Sequence, residues 1–105
     1  MIERFVGSNT YHLPENEVRE LCKQYNRGRV FVYYGDNTYN HSVKHILDLC
    51  STIKEDYPEA EYRDMEVHTI NTHQSNRHAH ITMIGVNIPI DDYIKMRNAN
   101  EIHIL

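Results

Sequence analysis

The chain has 105 residues, 40% of them hydrophobic and 25% charged, which bounds it to one domain with one modest core. Its net charge of −4 and isoelectric point near 6.0 exclude the strongly basic footprint of a general nucleic-acid binder, although Arg19, Lys23, Arg27 and Arg29 lie close together in sequence. The residues after Met1 are mixed and polar, and no apolar run approaches the ~20 residues of a membrane span, so the expectation is a cytoplasmic protein with no membrane partner.

Ile2 to Val6 reads as a short first strand, followed by the loop Gly7-Ser8-Asn9-Thr10. Pro14 suits a first helical turn, and Glu15 and Glu17 favour the positive end of a helix dipole. Val18, Leu21, Cys22 and Tyr25 follow the helical i, i+3, i+4, i+7 spacing until Asn26-Arg27-Gly28 ends the run. Val30 to Tyr34 is β-branched and aromatic on both faces and is expected to be a central strand. After the turn-rich Gly35-Asp36-Asn37-Thr38, Ser42 is the expected N-cap of a second helix carrying Val43, Ile46, Leu47, Cys50 and Ile53, closed by Tyr57-Pro58. Cys22 and Cys50 fall at apolar helix positions and are expected to be buried free thiols.

Glu55 to Asp64 reads as an acidic, solvated connection into a hairpin that runs to about Ile88, with its turn over Thr72 to Asn76. Pro89 ends that strand. Asp91 or Asp92 is the expected cap of a short helix with Ile94 and Met96, and Glu101 to Leu105 makes a last strand. The order β-α-β-α-β-β-α-β implies an α+β fold, a mainly antiparallel sheet with helices on one face, in the ferredoxin-like neighbourhood.

The hairpin carries the chemistry. With its turn centred near Gln74, His68 lies opposite His80 and His78 lies one pleat away, so three imidazoles share a face within reach of one divalent metal ion. Met65, Val67, Ala79, Ile81 and Met83 alternate with them and are expected to form the core face, leaving the histidines on the open face of the sheet.

Asn76-Arg77-His78-Ala79-His80-Ile81-Thr82-Met83 resembles the His-hydrophobe-His motif of HUH endonucleases, the family of plasmid relaxases and rolling-circle replication initiators. His68 stands where relaxases carry a third histidine on the preceding strand. The resemblance implies a metal site of His68, His78 and His80, holding Mn, Mg or Zn, that polarises a scissile phosphate of single-stranded DNA. It also implies a tyrosine nucleophile. Tyr93, at the start of the helix after the motif strand, is the first candidate, and Tyr11, near the N-terminus, is the second.

Three other readings stand beside it. His80-Ile81-Thr82 has the His-x-Thr form of two-histidine phosphoesterases, which need two such motifs where this chain shows one. The aromatics of Val30 to Tyr34, with Asn37 and Asn40, could stack a base. A small, acidic, Tyr- and Asn-rich domain also fits a non-enzymatic phage or mobile-element protein, one that inhibits a host defence complex or sequesters a nucleotide signal.

Overall fold

The structure is a computed structural model, and it describes residues 2–36, 43–70 and 78–105. Ser42, Asn37, Asn40 and the hairpin turn lie outside these residues. The elements, in chain order, are β1 (Ile2–Val6), α1 (Ser8–Tyr11), α2 (Glu15–Tyr25), β2 (Arg29–Asp36), α3 (Val43–Asp56), β3 (Tyr62–Ile70), β4 (His78–Pro89), α4 (Ile90–Asn98) and β5 (Ile102–Ile104). The five strands form one sheet in the order β3-β4-β2-β1-β5, antiparallel except for the parallel pairing of β1 with β5. The fold is thus α+β with a mostly antiparallel sheet, as the element order implies. No helix among the described residues is long and apolar enough to cross a membrane.

The even positions of the central strands face the helices. Val30, Val32 and Tyr34 of β2 and Ile84, Val86 and Ile88 of β4 pack with Val18 and Cys22 of α2, Leu49 and Ile53 of α3, and Tyr93 and Ile94 of α4. Burying a side chain of this kind contributes about 1.5–3 kcal/mol, so this single cluster supplies most of the drive to fold. Only part of each sequence stripe is used. Along α2, Val18 and Cys22 are buried while Leu21 is 45% and Tyr25 81% exposed. On α3, Leu49, absent from the expected stripe, is buried and Leu47 is 60% exposed.

Three local expectations are corrected. The loop after β1 is a single helical turn, in which the Thr10 and Tyr11 N–H groups both donate to the Gly7 carbonyl. The segment 55–64 is not a purely solvated connection: β3 has begun by Tyr62, and Tyr57, Ala60 and Tyr62 pack against the core. The Tyr62 hydroxyl donates to the Tyr57 carbonyl at 2.6 Å, tying the strand to the end of α3. Pro89, the last residue of β4, is itself the N-cap of α4, so Asp91 and Asp92 lie in the first turn, where their charge suits the helix dipole. At the end of α2 the sequence reading holds. Arg27 and Gly28 take φ of 53° and 74°, and the Gly28 N–H donates back to the Cys22 carbonyl at 2.8 Å.

Asn87 fixes one end of the sheet. It is 6% exposed and lies on the face away from the helices. Its Oδ1 accepts from Arg29 Nε and from the Glu61 N–H, both at 3.0 Å. Its carbonyl accepts from Arg29 Nη2 at 2.9 Å, and its own N–H donates to the Glu61 carbonyl. One amide thereby joins the start of β2, the end of β4 and the residue before β3.

Candidate functional site

β3 and β4 pair in unbroken register from Tyr62↔Val86 to Ile70↔His78, and that register sets His68 directly opposite His80. That cross-strand pairing is the one the sequence implies. β4 is a central strand and β3 an edge. Among the described residues β2 pairs with β4 from Arg29↔Pro89 to Tyr34↔Ile84, and the stretch of β4 that carries His78 and His80 pairs with β3. The side chains of 64–70 and 78–82 lie outside the described set, and the strand register is what locates the histidines. Among the described residues no group of three metal-ligating side chains converges.

The register relates the histidine positions to the rest of the sheet. Along a strand, alternate residues share a face. Because Ile84, Val86 and Ile88 pack under the helices, positions 78 and 80 continue the helix side of the sheet, and position 68 joins them by register. Met65, Val67, Ala79 and Ile81, expected with Met83 to form the core face, and the histidine side chains lie outside the described residues. Met83 is buried, but on the side away from the main cluster.

Neither candidate nucleophile stands near the histidines. α4 begins after nine further residues of β4 beyond His80, roughly 30 Å of strand. Tyr93 is also fully buried, with 0% exposure. Among the described residues, its hydroxyl and Arg97 Nη1 are both buried without a hydrogen bond of good geometry. Burial raises the Tyr93 phenol's pKa, and the adjacent Arg97 charge pulls against that rise without overcoming it. On the other side of the sheet, Phe5 pairs with Tyr33, which pairs with Gly85, so Phe5 is level with a position roughly 17 Å from His80. β1 runs in the direction of β4, away from the histidines, before reaching Tyr11, which packs against the core.

No family model, no curated protein and no solved structure matches this chain. The site therefore stands on its own geometry.

A second constellation, which the sequence reading did not assemble, lies on the open face. Registers across all five strands put His103, Phe5, Tyr33, Gly85 and Arg63 in one row. The Tyr33 ring lies over Gly85, so close that a Cβ there would sit 2.7 Å from Cε1. Phe5 and His103 have ring centroids 5.7 Å apart, and the Arg63 guanidinium stands 4.3 Å over the Phe31 ring. The available signal was Gly85, a glycine inside an apolar strand, which marks close approach of another group to the backbone.

Four phenols on the helix side have raised pKa values. Burial is the first cause in Tyr34, Tyr57, Tyr62 and Tyr93, and at Tyr57 nearby Tyr34 and Asp92 add to it, to about 12. A raised phenol pKa means the fold favours the neutral form, so this stabilisation is complete below the unfolded value near 10 and is lost as pH climbs toward 12. Tyrosinate absorbance is expected to rise in a late step in the native protein that moves down to near pH 10 in denaturant. A single transition near 10 in both states would refute these environments.

Proposed function

We propose that this chain is a small single-strand nucleic-acid-processing domain, acting in the cytoplasm, in which His68, His78 and His80 hold a divalent cation. The observation that carries the reading is the register of His68 opposite His80, with His78 two residues along the same strand. Opposed strand positions have Cβ atoms about 4.5–5.5 Å apart, and two or three imidazoles at that spacing can converge on a metal with bonds of about 2.0–2.1 Å. Mn, Zn or Mg fits such a donor set, with imidazole favouring the transition metals. When bound, the cation would offset charge on the oxygens of a scissile phosphodiester in single-stranded DNA. Among the described residues Cys22 and Cys50 are not joined in a disulfide, in keeping with a reducing compartment.

The distance to Tyr93 and Tyr11 changes the chemistry that the HUH resemblance implies. With no candidate tyrosine beside the histidines, attack on phosphorus falls to water, and the product is a free end rather than a phosphotyrosine link. The same distance favours the second reading, a non-enzymatic phage or mobile-element protein that blocks a host complex or holds a nucleotide, with the ribbon as a contact surface.

Metal binding is tested first. Mn²⁺ or Zn²⁺ at 100 times its Kd is expected to stabilise the fold by about 2.7 kcal/mol, read as a higher Tm. His80→Ala is expected to abolish the shift, and an unchanged Tm in saturating metal would sink the site. With Mn²⁺, a labelled random single-stranded DNA pool is expected to be cut without a protein–DNA adduct. An adduct lost in Tyr93→Phe or Tyr11→Phe would restore the tyrosine mechanism, and no scission at all would leave the binding-protein reading.

A further inference from the structure

The row across the open face has a composition unlike the rest of the chain. His103 and Arg63 stand at its two ends, Phe5 and Tyr33 at its centre, and it contains no carboxylate, in a protein whose net charge is −4. The buried side chains of α2, α3 and α4 all belong to the cluster on the other face, so no described helix covers the row. His103 and Arg63 are exposed, and Phe5, Phe31 and Tyr33 are half-buried.

Gly85 is what gives the row its shape. Any Cβ there would meet the Tyr33 ring and stand 3.5 Å from the Arg63 Cβ. Glycine lets the half-buried Tyr33 ring approach the strand backbone more closely than any side chain there would allow. Arg63, next in the row, stacks its guanidinium on Phe31, so a cation is held beside the rings. Neighbouring strands are about 4.7–4.9 Å apart, so the row from β5 to β3 spans roughly 19 Å, the reach of about three nucleotides.

We propose that this row is a stacking platform for single-stranded DNA, with bases laid on Tyr33 and Phe5 and backbone phosphates meeting Arg63 and His103. Aromatic faces accept any unpaired base, and a duplex, whose bases are already stacked, cannot lie on them. The proposal deepens the single-strand reading above but does not depend on a metal, because the row shares no position with His68, His78 or His80.

The test is fluorescence anisotropy of a labelled oligo-dT of twelve nucleotides, at low salt and in EDTA. Wild type is expected to bind, and the corresponding duplex is expected to compete poorly. Tyr33→Leu and Phe5→Leu keep apolar bulk but remove the ring faces. Each is expected to weaken binding about fivefold to a hundredfold, the range for loss of one stacked base. Arg63→Gln is expected to weaken binding and to flatten its salt dependence. Tm is measured for every variant, and Leu21→Ala, at an exposed position on α2, serves as the control expected to bind like wild type. Absence of binding by wild type in EDTA, equal competition by duplex, or unchanged affinity in folded Tyr33→Leu and Phe5→Leu would each overturn the platform. A failure of the metal-dependent Tm shift with this binding intact would strike only the histidine site.

Discussion

Tyr93→Ala is expected to cost the fold about 3–5 kcal/mol, whereas Tyr93→Phe is expected to cost little or to stabilise slightly. The ring is among the largest fully buried side chains, so alanine leaves a cavity at the packing point of α4. The hydroxyl is different. It is buried without a partner of good geometry, so it has already given up its water without full compensation, and removing it relieves that penalty. The pair of variants separates structure from catalysis. A nucleophile would show the reverse pattern, with stability preserved and activity lost in the phenylalanine form. Urea unfolding of both variants, read as the change in midpoint at constant slope, checks the expectation. Destabilisation of more than about 2 kcal/mol in Tyr93→Phe would show that the hydroxyl is bonded after all.

Asn87→Ala is expected to destabilise by about 2–4 kcal/mol, a large effect for a substitution that removes so few atoms. The loss is not one of apolar area. Without Oδ1, the half-buried Glu61 N–H loses its side-chain acceptor and Arg29 Nε keeps only its longer bond to the Asn87 carbonyl at 3.3 Å. Asn87→Asp separates the contributions. It restores an acceptor for both donors and pairs a carboxylate with Arg29, so it is expected to recover part of the stability. Equal losses in the alanine and aspartate forms would mean that the amide NH₂ rather than Oδ1 carries the interaction.

The hairpin was legible because antiparallel geometry is almost arithmetic. Once the turn is centred on Gln74, pairing of His68 with His80 follows, and the strands confirm that register. What alternation does not supply is the identity of the buried face. β4 carries apolar residues at both parities, with Met83 on one side and Ile84, Val86 and Ile88 on the other. The choice is made by where α2, α3 and α4 pack, a tertiary fact. The same limit explains Leu21 and Leu47, whose spacing is helical but whose positions lie at the margin of the stripe that meets the sheet. Tyr93 was drawn toward chemistry by its place after the motif strand, yet the length of β4 separates the two. The open-face row was illegible for another reason. It takes one residue from each of five strands, and no local pattern relates His103 to Arg63 before the strand order is known.

The pairing of the first strand with the last has a kinetic consequence. Arg4 and Glu101, joined by a side-chain hydrogen bond at 3.1 Å, are 97 residues apart in the chain, whereas β3 ends at Ile70 and β4 begins at His78. Local pairings close small loops and form early, while a contact spanning nearly the whole chain carries a larger closure entropy and gains no reward until the rest is in place. The β1–β5 seam is therefore expected to form last, and strengthening it is expected to slow unfolding with little change in the speed of folding.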